Sequence, residues 1–299
     1  MSQSALAAQH SSPHEAEFVR AAQDFWQTYY NAIKRVHEQE GRTLTEPVRD
    51  RNLCTTDSKH VVFFEEFCRT RLATSLGVPV GDVGKRTIRF KPYRSKSFDV
   101  CWPLTGEPKV LISVKSMQNA YRNFTNRIEE AFGDAAVLRV YNKPACFGFF
   151  YFMVDGPVAR GRGEMAKPPP RLDANGQAKQ TKGAHINLAL LEQGGDFFDL
   201  ADVSRYRRGP APAEAESANR KDVVAAAQQT LLDLVAAEPS ATPTVHYDAM
   251  AFVPARIQRT SATGRPDDWA ITPSPVDPRL SLEVFFAKLV ETAKLRGFV

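Results

Sequence analysis

Hydrophobic positions recur every three or four residues from Glu15 to about Glu40 (Phe18, Ala21, Ala22, Phe25, Tyr29, Ile33), which predicts a long amphipathic helix. A second helix is predicted from about Lys59 to Ser75, capped by Asp57 or Ser58 and stopped near Gly77. The pattern then shortens to strand-like runs at Thr87–Phe90, Ser97–Trp102 and Lys109–Lys115, the last two joined by a turn over Pro103–Pro108. Helical spacing returns from Met117 to about Phe132, with Met117, Tyr121, Phe124, Ile128 and Phe132 on one stripe. Cys146–Val154, CFGFFYFMV, is a nearly continuous apolar run, as expected of a strand covered on both faces. The predicted order is therefore helix, three strands, helix, strand.

Beyond Gly156 the patterning weakens. Residues 158–184 carry Arg160, Arg162, Lys167, Arg171, Lys179 and Lys182 against Glu164 and Asp173, with three consecutive prolines. This basic stretch reads either as a solvated loop or as an arm that orders on a polyanion. A polar stretch over Arg205–Ser217 precedes a helix expected from about Asn219 to Ala237. A strand is expected over Val245–Val253 and a closing amphipathic helix over Leu280–Arg296. Residues 1–13 are expected to be a disordered leader and 14–58 an N-terminal helical region. Residues 59–156 would form the core, and 157–299 a C-terminal extension of the same domain.

Composition changes this picture little. A 43% hydrophobic and 24% charged chain of 299 residues is ordinary for a globular protein with a sizeable core. The net charge of +5 suits a polyanionic partner without requiring one. Cys54, Cys68, Cys101 and Cys146 are widely spaced with no CxxC pair, which disfavours zinc and reads as reduced core thiols in a cytoplasmic protein. No run of about 18 apolar residues predicts a membrane span, and the polar N-terminus shows no secretion signal. His14, His37, His60, His185 and His246 are scattered with no HExxH pair, and neither a GxxxxGK[ST] loop nor a GxSxG elbow occurs.

The informative chemistry lies in Phe98-Asp99-Val100 followed by Leu111-Ile112-Ser113-Val114-Lys115. Alternation puts Leu111, Ser113 and Lys115 on one face of their strand, so that Lys115 is expected beside Asp99 of the neighbouring strand. A strand-borne carboxylate with a nearby lysine is the arrangement a magnesium-dependent nuclease needs.

Over residues 59–154 the chain resembles the PD-(D/E)xK nuclease superfamily, in which an Asp and a (Asp/Glu)-x-Lys occupy adjacent strands of an αβββαβ core. The resemblance implies an α/β fold with a restriction-endonuclease-like core, a mixed central sheet flanked by helices, carrying helical N- and C-terminal additions. Phe98 stands where proline often precedes the aspartate, and Ser113 stands in place of the second carboxylate. A serine is a poor ligand for a hard divalent cation. Here the chain resembles the CCGG-cutting type II restriction endonucleases, which carry Ser-x-Lys and recruit a glutamate from the following helix, typically fourteen positions after the lysine. Fourteen positions after Lys115 is Glu129, with Glu130 able to serve instead, since both lie off the apolar stripe; spacing favours Glu129. In this family a first-helix glutamate often completes the site, and Glu65 is the candidate, flanked at helical spacing by Val61, Cys68 and Leu72.

The resemblance thus implies Asp99, Glu129 and Glu65 as Mg²⁺ ligands, with Lys115 orienting water or stabilising developing charge. Its products would be a 5′-phosphate and a 3′-hydroxyl. Gln118, Asn119, Arg122, Asn123, Asn126 and Arg127 form a polar helix face of the groups that pair with base edges or phosphates; a merely solvated face is the alternative. Arg86, Arg89, Lys91, Arg94 and Lys96 flank the aspartate strand and could track a DNA backbone.

The expected function is that of a type II restriction enzyme hydrolysing double-stranded DNA. It would act as a homodimer or higher homo-oligomer on a palindromic target, with a cognate DNA methyltransferase as genetic partner. The competing expectations are a structure-specific or repair nuclease on the same core, and a non-catalytic DNA-binding protein on a decayed nuclease fold.

Overall fold

The computed structural model describes residues 13–39, 41, 48–49, 60–90, 94–117, 122–141, 145–154, 185–186, 215–236 and 247–299. Among the described residues the α-helices are α1 (Pro13–Gln39), α2 (Val62–Leu76), α3 (Arg122–Tyr141), α4 (Ala215–Ala236) and α5 (Leu282–Leu295). Strands are β1 (Val48–Arg49), β2 (Gly84–Phe90), β3 (Arg94–Trp102), β4 (Val110–Met117), β5 (Cys146–Val154), β6 (His185–Ile186), β7 (Ala249–Arg259) and β8 (Trp269–Pro273). The protein is mixed α/β, built on a six-stranded sheet of order β2-β3-β4-β5-β7-β8, while β1 and β6 form a separate two-stranded pair. The β4-β5-β7 centre is parallel and the flanking pairs are antiparallel.

Every residue of β5 is buried, because this central strand has helices on both faces. One layer contains α1, α2 and α5, whose Phe18, Phe25, Phe64, Phe286 and Leu289 share a core with Val110, Ile112, Val114, Phe150 and Phe152. Phe64 links α1 to the sheet, lying 4.7 Å from Phe25 and 4.8 Å from Phe152 between ring centroids. The opposite layer is α3 and α4, whose Ile128, Ala131, Leu138, Ala227 and Leu231 pack on Leu111, Phe147, Phe149 and Tyr151.

Element boundaries moved where long-range pairing outweighs local pattern. β4 reaches Met117, the residue from which a helix was expected, because it pairs with β5 along its whole length, from Val110 opposite Cys146 to Met117 opposite Met153. The following helix begins at Arg122 and runs to Tyr141, well past Phe132, which is itself 38% exposed rather than on the buried stripe. Helix α2 has Val61 at its N-cap with no side-chain cap bond, while Asp57 and Ser58, the expected caps, lie outside the described residues; its C-terminus closes as expected on Gly77, at φ 70°. The strand expected over Val245–Val253 lies at Ala249–Arg259, and β8 was not anticipated.

Residues 1–12 of the expected leader, the basic stretch 158–184, Cys54 and the polar residues 205–214 lie outside the described residues, while Pro13 opens α1. Cys68, Cys101 and Cys146 are buried and form no disulfide. Among the described residues no helix is long and apolar enough to cross a membrane.

Candidate active site: a carboxylate pair around Lys85

A one-residue irregularity in β3 determines where Asp99 points. Gly84 pairs with Cys101 and Arg86 with Phe98, so Lys85 alone on β2 faces both Asp99 and Val100. This is a β-bulge, which bends a strand and re-aims its side chains. Its effect is visible in the core: Phe98 and Cys101 pack with the α3–α4 layer, Val100 and Trp102 with the α2 layer. Alternation is therefore broken once between Phe98 and Val100.

The same place marks the parting of β3 from β4. Their pairing runs from Trp102–Val110 to Val100–Ile112, and beyond it the Asp99 carboxylate replaces a strand partner, accepting from the Val114 amide at 2.8 Å. The other Asp99 oxygen, Oδ1, lies 3.7 Å from Lys85 Nζ. Lys85 Nζ in turn donates to Glu65 Oε1 at 3.0 Å. Glu65 sits in the first turn of α2, and its side chain and that of Asp99 are only 17% and 15% exposed, whereas that of Lys85 is 54% exposed. One ammonium thus stands between two sequestered carboxylates and is itself open to solvent.

The electrostatics follow this geometry. Burial pushes the Glu65 carboxyl above its ordinary range, and the negative charge of Asp99 adds to the push, opposed by Lys85. Burial, reinforced by Asp99 and Glu65, drives the Cys68 thiol well above its usual value, so this sulfur is inert. Desolvation works to lower the Lys85 pKa, yet the hydrogen bond and charge of Glu65, with Asp99, carry it above the ordinary value.

Of the residues expected at the site, Asp99 and Glu65 converge. Lys115 does not join them. It pairs with Tyr151 of β5, which belongs to the α3–α4 layer, and alternation from Val114, in the α2 layer, places it on the opposite face from Glu65. The expectation that Lys115 flanks Asp99 assumed an unbroken β3; the bulge removes that premise. Among the described residues no ion pair joins Lys115 to a carboxylate, and Ser113, on the same face as Lys115, is 2% exposed. Glu129 and Glu130 are exposed on α3, beside the buried Ile128 and Ala131 that seat this helix on the far layer. The structure does not bring either glutamate to Asp99. Among the described residues no group of three His, Cys, Asp or Glu side chains gathers to hold a metal.

Of the candidate DNA contacts, Gln118 and Asn119 lie outside the described residues, Arg122, Asn123 and Asn126 lie in α3, and Arg94 opens β3 opposite Phe90. Two of the basic residues beside the aspartate strand have structural employment. Arg86 donates to Pro103 O at 3.1 Å and Gly106 O at 2.7 Å, closing the β3–β4 hairpin, and Lys96 pairs with Asp134 at 2.8 Å. Lys85, the cation at the centre of the site, was not singled out in the sequence. Its one local signal is its place just ahead of the first predicted strand, which does not reveal a partner twenty residues earlier.

No family model matches the chain, and no curated protein matches it.

Proposed function

We propose that the protein is a Mg²⁺-dependent endonuclease acting on double-stranded DNA, in its finer form a type II restriction enzyme of the PD-(D/E)xK superfamily. The observation that carries the reading is the meeting of Glu65 and Asp99 around a single cationic group at the point where two strands part. The element order α2-β2-β3-β4-α3-β5 accords with an αβββαβ nuclease core.

The residues present fit a hard divalent cation. Mg²⁺ is commonly held by one or two carboxylates, with water and substrate phosphate oxygens filling the remaining positions. Glu65 and Asp99 supply two carboxylates, and the Lys85 ammonium between them shows that the pair already accommodates positive charge. Water activation and screening of charge on the scissile phosphate are what such an ion would contribute. The protein's own part is positional. The Val114 amide fixes Asp99, and α2, anchored by Phe64 and Cys68 in the core, presents Glu65 from one side. A polyanionic substrate accords with the net charge of +5. A homodimer on a palindromic site, and a methyltransferase protecting that site, complete the proposal.

The test is incubation of the purified protein with several unmethylated plasmids and Mg²⁺, beside Glu65→Gln and Asp99→Asn. Discrete fragments from the wild type and none from either variant support the restriction enzyme. Nicking or degradation without discrete sites supports a structure-specific nuclease instead. Binding without Mg²⁺ and no cutting of any DNA supports a decayed nuclease fold.

A further inference from the structure

We propose that Lys85, carried on β2, is the lysine that works with the Glu65–Asp99 pair: it occupies the cation position in the metal-free protein and, displaced by a divalent ion, becomes the ammonium that meets the substrate phosphate. This rests on the nuclease reading for its second half only.

Two carboxylates that are 17% and 15% exposed repel each other and are poorly solvated. Lys85 Nζ compensates both, at 3.0 Å from Glu65 Oε1 and 3.7 Å from Asp99 Oδ1. A divalent cation bound by the same oxygens must compete with that ammonium. Lys85 can yield, because it is 54% exposed and its charge sits on a flexible four-carbon stem with three rotatable donors. Its stem rises from β2 directly opposite the bulge, so a displaced ammonium stays beside the site on its solvent side, from which an anionic phosphate would arrive. Lys115 leaves β4 on the other face of the sheet, with the Tyr151 layer. Arg86, the next residue of β2, is committed to the hairpin carbonyls.

The experiment compares Mn²⁺ binding by calorimetry to the full-length wild type, Lys85→Met, Lys85→Arg and Lys115→Met, together with Mg²⁺-dependent cleavage of plasmid DNA by the wild type and the two Lys85 variants. Removing the resident charge should tighten Mn²⁺ binding by about two- to fivefold, the scale of a half-exposed ion pair. Lys85→Arg, which keeps the charge, should bind Mn²⁺ as the wild type does, and so should Lys115→Met. Cleavage should be lost in Lys85→Met. A merely structural lysine would give the opposite metal result, since its loss loosens the carboxylates and weakens binding. Unchanged or weaker Mn²⁺ binding by Lys85→Met overturns the inference, as does cleavage by that variant at the wild-type rate. A wild type that cuts no DNA removes the nuclease reading and with it the second half, while the Mn²⁺ comparison still decides whether Lys85 holds the cation position.

Discussion

The Val114 amide donates to Asp99 Oδ2 at 2.8 Å across the gap where β3 and β4 stop pairing. A side-chain carboxylate thereby takes the place of a main-chain carbonyl in the ladder, and a candidate metal ligand is fixed by the sheet itself. Asp99→Ala should leave the half-buried amide without its acceptor and cost about 1–3 kcal/mol, whereas Asp99→Asn, which keeps an acceptor oxygen, should cost less. Urea unfolding of the two variants checks the order; equal stabilities would remove the amide bond from the account.

Glu65 and Glu129 should separate cleanly in metal binding. Glu65→Gln removes one of two converging carboxylates and should weaken Mn²⁺ binding at least tenfold, by roughly 1.4 kcal/mol or more. Glu129→Gln alters an exposed side chain on the opposite layer and should leave Mn²⁺ affinity unchanged, with stability within about 0.5 kcal/mol of wild type. Calorimetry and thermal melts read both, and weaker Mn²⁺ binding in Glu129→Gln would return that residue to the site.

Gly148 in β5 is a packing requirement of the layer opposite α3. A Cβ there would come within 3.0 Å of the Phe285 ring and 3.1 Å of Leu289 Cδ1. Both residues are buried in the core of α5, so neither can withdraw freely. Gly148→Ala should destabilise by about 1–3 kcal/mol despite the better strand propensity of alanine, measured as a lower urea midpoint with an unchanged slope.

Asp248 carries a buried junction between β5, β7 and α5. Its carboxylate accepts from the Phe147 amide at 2.7 Å and from Arg296 Nη2 at 2.6 Å. Its side chain is 5% exposed while that of Arg296 is 28% exposed. Arg296→Ala should cost about 2 kcal/mol, below the roughly 3–5 kcal/mol of a fully buried pair because solvent reaches the guanidinium. Differential scanning calorimetry measures it, and a variant as stable as the wild type would show that water replaces the arginine fully.

The acid limb of stability should carry a signature of Asp277. Hydrogen bonds from the Arg279 side chain and amide hold its carboxyl at about 2, below the ordinary 3.8. A depressed carboxyl contributes stability that is fully present above its unfolded value and lost as pH falls through the folded one. The difference in urea midpoint between wild type and Asp277→Asn should therefore be constant above about pH 5 and shrink towards pH 2. A difference that does not depend on pH would assign the effect to packing.

Much of the scaffold around the site is legible in the sequence because its causes are local. The apolar run Cys146–Val154 is a central strand to the residue, since a strand sandwiched by two helical layers needs no polar face. Helix α2 ends at Gly77 because glycine adopts the left-handed turn its C-terminus requires. Phe18, Ala22, Phe25 and Tyr29 are buried on α1 as their spacing predicts. On these elements the resemblance to the PD-(D/E)xK nucleases let Asp99 on a strand and Glu65 on the preceding helix be named as candidates.

Which of the candidates meet was beyond the sequence, because it depends on one extra residue in a pairing between strands. Strand alternation is a rule about unbroken strands, and a single bulge at Asp99 and Val100 reverses the face on which that rule places the carboxylate. Local chemistry thus determined that this chain has an α/β scaffold carrying acidic groups near a strand junction. The tertiary fold decided that Lys85, twenty residues from Glu65 and fourteen from Asp99, is the cation they share, since contact between distant residues follows from sheet register and helix packing rather than from spacing along the chain.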